Sequence, residues 1–238
     1  AMEYVDGVSL TDWCQQRELD LPARLRLFLK VCAAVEHAHR HLVVHRDLKP
    51  SNILVSAEAG PKLLDFGIAR LLDGSTAEST QSPLTPAYAA PEQLRGGQIS
   101  TATDVYALGL VLFRLLAGTL PETRTGEHPT QVLARIDEEE TERPSRRAAQ
   151  SQQPLPYPPG ALAGDLDAIV AQALRADPAR RYGSAAALAA DIERHLAALP
   201  VLARAPTLGY QLGRYLRRHR IAAAFASLAL LALVTGTG

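Results

Sequence analysis

The sequence has 238 residues, 47% of them hydrophobic, which provides for one sizeable core and argues against global disorder. Basic and acidic residues balance at 25 each, so nothing in the overall charge draws the chain to nucleic acid. Two cysteines, Cys14 and Cys32, are too few for a disulfide framework or a four-ligand zinc site and read as small buried hydrophobes.

Met2 to Val5 is a strand-like run closed by Asp6-Gly7. Ser9 with Asp12 three residues on predicts a helix start, and the helix runs to about Gln16. From Leu21 to about His41 the residues Leu25, Phe28, Leu29, Cys32, Val35 and Ala38 recur at three and four, which predicts a long buried helix with Pro22 in its first turn. Its His37, His39 and His41 are two apart and face different ways, so joint metal ligation is not expected. Short β-type runs follow at Val43–Val44, Ile53–Val55 and Lys62–Leu64, the last two forming a small hairpin. Residues 73–86 read as a polar loop, Thr103–Ala117 as a central core helix and Thr130–Ile136 as a short one. The charged, then Gln- and Pro-rich stretch 137–164, with Glu138, Glu139 and Glu140 at its start, reads as an irregular surface insertion. Helices at about 165–175 and 184–197 complete an α+β, mostly α-helical unit with a small β patch.

The chemistry is concentrated in His45-Arg46-Asp47-Leu48-Lys49-Pro50-Ser51-Asn52. An aspartate can orient an attacking hydroxyl and accept its proton, a lysine two residues on can meet a moving phosphoryl group, and an asparagine can offer a hard oxygen to Mg²⁺. Lys49 is one of only three lysines and Asn52 is the single asparagine. Eighteen residues after Asp47 comes Asp65-Phe66-Gly67, followed by Ala90-Pro91-Glu92, Thr103-Asp104-Val105-Tyr106-Ala107-Leu108-Gly109 and Asp177-Pro178-Ala179-Arg180-Arg181-Tyr182. In this order and spacing the five segments resemble the protein kinase family over about residues 1–198, and Lys49 matches its serine/threonine branch.

The resemblance implies a kinase C-lobe using ATP and Mg²⁺ on protein serine and threonine hydroxyls, with Asp47, Lys49 and Thr85 catalytic and Asn52 and Asp65 holding the metal. Met2, Glu3 and Val5 would border the adenine at the hinge and Leu54 would form the pocket floor. Glu92, Asp104 and Arg181 would be structural, Asp104 bracing the catalytic loop and Arg181 pairing with Glu92. Arg46 would receive a phosphate placed on Thr76, Ser79, Thr80 or Ser82 of the activation loop. The family's glycine-rich loop, phosphate-pairing lysine and partner glutamate precede the hinge, so the expectation is a chain cut at the hinge that transfers phosphate poorly by itself.

On this reading residues 1–8 are hinge and strand end, 9–198 the C-lobe (catalytic loop 45–52, activation segment 65–92), 199–220 a basic juxtamembrane linker and 221–238 a partial transmembrane helix. No Asp or Glu follows Glu193, while Arg194, Arg204, Arg214, Arg217, Arg218 and Arg220 accumulate, which points to an anionic surface. The uninterrupted apolar run Ile221–Val234 is shorter than the roughly twenty residues of a span, yet no charge stops it. The arginines before it place the kinase on the cytoplasmic side of a bacterial inner membrane. A pseudokinase scaffold and a small-molecule phosphotransferase are the rival readings. The intact Asp47, Lys49, Asn52 and Asp65 oppose the first, and Ala90-Pro91-Glu92 with Thr85 opposes the second. The family also allows a homodimer in activation.

Overall fold

The computed structural model of the chain describes residues 6–64, 86–122, 128–138, 142–151, 154–207 and 209–210. One short helix and one long one build the side that carries the catalytic loop. Strand β1, Val8–Ser9, leads into α1, Leu10–Gln16, where the Ser9 hydroxyl accepts the Asp12 N–H. Helix α2, Leu21–Arg40, starts at Asp20, whose carboxylate accepts the Ala23 N–H at 2.8 Å. Its stripe of Leu25, Phe28, Val31, Cys32 and Val35 is almost wholly buried. Strands β2, Ile53–Ser56, and β3, Gly60–Leu63, form the expected hairpin, and β1 pairs with the other edge of β2. The antiparallel order β1-β2-β3 sets Ser9 and Lys62 on either side of Leu54.

The core is organised around α4, Thr101–Ala117, preceded by the short α3, Pro91–Leu94. Ser100 and Thr103 cap its start reciprocally, and Gly118, at φ 77°, ends it in the left-handed conformation that glycine adopts without cost. All but a few of its side chains are buried, so this helix is hydrophobic all round and sits inside the lobe. Helices α5 (Pro129–Glu138), α6 (Pro144–Gln150), α7 (Asp165–Ala173) and α8 (Ala185–Leu196) follow. α8 packs on α2 and α7 packs on α4. Gly109 lets the last pair close: a Cβ there would stand 2.9 Å from Ala173 Cβ and Leu174 Cδ2.

Three expectations need correction. Val43–Val44 is not a strand. Val43 N–H donates to Ala38 O (3.0 Å) and Leu42 N–H to His39 O (2.9 Å), the paired bonds that finish a helix whose next residue is left-handed. That residue is Leu42, at φ 61° and 94% exposed, so its side chain strains the backbone and packs on little. Leu42→Gly should therefore stabilise the protein by about 0.5–1 kcal/mol, read as a higher urea midpoint at unchanged slope. An unchanged or lower midpoint contradicts this account.

The 137–164 stretch is only partly irregular. It carries the end of α5, all of α6 and a tight turn at Pro159–Leu162, with Pro144, Ala148 and Leu162 buried. Its order comes from distant partners. Asp167 accepts the Ser145 N–H (3.0 Å) and hydroxyl (2.6 Å), and the Tyr157 hydroxyl donates to Leu115 O and Leu116 O at the end of α4. Of the triple-glutamate run, Glu139 and Glu140 lie outside the described residues.

The chain also does not leave the fold at residue 198. Val201 is buried, and the Leu202 and Ala203 N–H groups donate to Asp191 at 2.6 and 2.9 Å. Tyr182 hydroxyl donates to the same carboxylate at 2.8 Å, its own pKa driven far up by burial and then by the Asp191 charge. Arg204 pairs with Asp165 at 3.0 Å. The first part of the presumed linker is thus folded against α7 and α8. Among the described residues no helix is long and apolar enough to cross a membrane, and the run 221–234 with its preceding arginines lies outside them.

Candidate active site

The catalytic loop spans the gap between the end of α2 and β2, and it has little regular structure to hold it. A buried carboxylate does that work. Asp104, in the first turn of α4 and 1% exposed, accepts the His45 N–H at 2.8 Å and the Arg46 N–H at 2.9 Å. It also accepts from His39 Nε2 at 2.7 Å. Arg46 sits at φ 70°, a left-handed position unfavourable for arginine, and these bonds hold it there. The histidines of α2 divide as their spacing requires: His39 faces Asp104, whereas the rings of His37 and His41, one turn apart, stand 4.4 Å from each other. Among the described residues no three His, Cys, Asp or Glu side chains are grouped to hold a metal ion.

His45 is buried and its pKa is lowered, chiefly by that burial and against the pull of Asp104. Its Nδ1 accepts the Asp47 N–H (3.4 Å), so its Nε2 carries the proton and donates to Leu64 O at 2.9 Å. A neutral imidazole therefore fastens Asp47 to the end of β3. Leu64 N–H returns a bond to Asn52 O at 2.9 Å.

Asp47, Lys49 and Asn52 come together. Asn52 follows a tight turn, Pro50–Asn52, and its Nδ2 donates to Asp47 O and to Asp47 Oδ2, each at 2.9 Å. Lys49 Nζ stands 2.9 Å from the same Oδ2. The Asp47 side chain is 38% exposed, so the carboxylate is oriented from below and open above. Leu54 lies half-buried on β2. The other candidates lie outside the described residues: Met2, Glu3 and Val5 at the hinge, Asp65 with Phe66 and Gly67, and Thr76, Ser79, Thr80, Ser82 and Thr85 in the activation segment.

The end of the activation segment is anchored by a buried ion pair. Arg181 NH1 and NH2 donate to Glu92 Oε1 and Oε2 at 2.7 and 2.8 Å. Thr103 hydroxyl donates to Glu92 Oε1 at 2.9 Å. Burial raises the Glu92 pKa, but the bonds and charge of Arg181 outweigh it, and the net displacement is downward. One connection had no sequence signal. Gln93 accepts the Ala90 N–H through Oε1 and donates through Nε2 to Arg46 O at 2.7 Å, tying this segment to the catalytic loop. The bond from His39 to Asp104 had no sequence signal for the same reason, the two residues being 65 apart. A short polar side chain facing a loop carbonyl leaves no mark in residue spacing.

A helical lobe carrying a small sheet and this Asp–Lys–Asn loop has the build of a protein kinase lobe, and the family model described as "Protein kinase domain" matches residues 1–192. The chain belongs to the protein kinase family. It is 38% identical over 201 residues to the serine/threonine-protein kinase PknB of Mycobacterium tuberculosis, covering 81% of this chain and 29% of that protein. It is 35% identical over 218 residues to a protein of Streptomyces coelicolor named a probable serine/threonine-protein kinase, covering 90% and 30% respectively. The chain thus spans under a third of the length of these relatives.

Proposed function

We propose that the protein transfers the γ-phosphate of ATP to serine and threonine hydroxyls of proteins. The observation that carries this reading is the part-exposed Asp47 carboxylate, fixed by Asn52 and flanked by the Lys49 ammonium. In the transfer, a bond forms between the substrate hydroxyl oxygen and the γ-phosphorus, the bond to the oxygen bridging to the β-phosphate breaks, and the hydroxyl proton passes to Asp47. Lys49, beside that carboxylate, neutralises charge on the phosphoryl oxygens. Because Asn52 commits Nδ2 to Asp47, its Oδ1 is the atom left to face a cation, a hard oxygen suited to Mg²⁺. Asn52 and Asp65 would hold that ion, which supplies neutralisation of the triphosphate.

Met2, Glu3, Val5 and Leu54 would border the adenine, and Thr85 would bond the Asp47–Lys49 pair. Arg46 would take a phosphate placed on Thr76, Ser79 or Thr80, and a homodimer would provide activation in trans. Residues 221–238, with Arg214, Arg217, Arg218 and Arg220 on the cytoplasmic side, would begin a membrane anchor. The names of the relatives, serine/threonine-protein kinases, support the choice of serine and threonine.

Incubating the full-length protein with labelled Mg·ATP and a protein acceptor, then hydrolysing it, should give phosphoserine and phosphothreonine. Label confined to phosphotyrosine or to a small molecule, or ATP binding without transfer, would replace this reading with one of its rivals.

A further inference from the structure

Arg46 adopts φ 70°, a conformation that a residue with a side chain keeps only where its surroundings hold it. Because a peptide unit is planar, relief of that strain turns the unit before Arg46, the unit after it, or both. The unit before is held by Asp104, whose Oδ1 accepts the Arg46 N–H at 2.9 Å. The unit after joins Arg46 to Asp47. Its N–H reaches His45 Nδ1 at 3.4 Å, longer than an ordinary hydrogen bond, whereas its oxygen accepts from Gln93 Nε2 at 2.7 Å. Gln93 is therefore the firmer of the two holds on the peptide that leads into Asp47.

The partners of the Gln93 amide fix which way round it lies. Its Oε1 accepts the Ala90 N–H at 2.9 Å, so turning it over would set an NH₂ against that N–H and an oxygen against Arg46 O. The base of the side chain is firm as well. Gln93 follows Glu92, which Arg181 grips with two bonds and Thr103 with another. Thr103 adjoins Asp104, so the contacts close into a ring: Arg46 to Asp104, Thr103 to Glu92, and Gln93 back to Arg46. Opening the ring at Gln93 leaves both halves attached to α4, which separates an effect on Asp47 from a loss of fold.

We infer that Gln93 is a positioning residue for phosphoryl transfer: by holding the Arg46–Asp47 peptide it fixes the direction in which Asp47 presents its carboxylate to the acceptor hydroxyl. It acts through Arg46 O. The inference rests on the kinase reading above, and it makes the anchored end of the activation segment part of the machinery that aims Asp47.

Variants of the full-length protein divide the two bonds of Gln93. Q93M loses both, Q93E keeps an oxygen for the Ala90 N–H without a donor for Arg46 O, and Q93K keeps a donor for Arg46 O without the oxygen. In Q93M and Q93E kcat for peptide phosphorylation should fall about tenfold, the weight of one hydrogen bond, while KM for Mg·ATP stays within about twofold. Q93K should recover most of kcat. In a merely structural role kcat would follow the cap on α3 instead, so Q93E would recover and Q93K would not. Hydrogen exchange of the Arg46 and Asp47 amides reads the same hold without catalysis, and should quicken about tenfold in Q93M and Q93E with α4 unchanged. Exchange and kcat that stay at wild-type values in Q93M and Q93E overturn the inference, as does kcat that recovers in Q93E and not in Q93K. Quickened exchange in a protein whose wild type transfers no phosphate upholds the Gln93 hold and counts against the kinase reading instead.

Discussion

Asp47→Asn should lower kcat for peptide phosphorylation by about two to four orders of magnitude in the full-length protein, with little change in folding stability. The amide has no site for the hydroxyl proton, and its own NH₂ would compete with the Lys49 ammonium for the space between them. The loop should survive the change. Its backbone is held by Asp104 and His45, neither of which touches the Asp47 carboxylate. Asn52 keeps its bond to Asp47 O, and the lost Lys49 pair is part-exposed, where such pairs contribute at most about 1 kcal/mol. The two readouts therefore separate: kcat falls while the urea midpoint stays nearly in place. A variant retaining more than a tenth of wild-type kcat would remove Asp47 from the chemistry.

What the sequence made legible follows from how local each interaction is. The Asp47–Lys49–Asn52 cluster could be read because one short loop supplies all three groups, and the reaction restricts which residue types can serve. The helix start at Ser9 is likewise local, since its hydroxyl accepts the Asp12 N–H three residues on. The α+β, mostly helical class followed from the 3.6-residue spacing of α2 and from the apolar run of α4. What stayed hidden is nonlocal. His39 and Asp104 are 65 residues apart, Ser145 and Asp167 are 22 apart, and Gln93 reaches across 47 residues to Arg46 O. Val43 and Val44 have the β-branched shape of strand residues, but a residue pair is only a strand if a partner edge stands beside it. Here the preceding helix claims the Val43 N–H. The four prolines misled over 154–162, because they remove the backbone donors of a long helix or strand, although the Tyr157 hydroxyl donates to Leu115 O and Leu116 O at the end of α4 and Leu162 is buried.

Arg181→Met should destabilise the protein by about 3–5 kcal/mol, the cost of leaving a buried charge without its partner. All five N–H groups of Arg181 are committed: two to the Glu92 carboxylate, and the rest to Ala102 O, Arg175 O and Ala176 O. Its side chain is 0% exposed, and Glu92 is 11% exposed. The guanidinium also lies 4.7 Å from the Tyr106 ring centre, so methionine would replace some packing and none of the hydrogen bonding. Lysine retains the charge but not the planar fork, and Arg181→Lys should recover less than half of the loss. Removing both charges, as in R181M/E92Q, should cost less than the sum of the single changes, because the orphaned carboxylate is gone.

The pH dependence gives an independent check. The Glu92 pKa in the folded protein lies below its ordinary value of 4.5, so the folded state holds the carboxylate ionised where the unfolded chain would begin to take up a proton. The stabilisation is complete above about pH 4.5 and is lost as the pH falls through the folded value. Without Arg181, burial is the dominant influence on Glu92, and its sign is opposite. Wild-type stability should therefore decline below pH 4.5, whereas the R181M protein should lose less, or gain, over the same interval. Urea midpoints measured from pH 3 to pH 6 read this directly. Parallel pH profiles for the two proteins would show that Arg181 is not what keeps Glu92 charged.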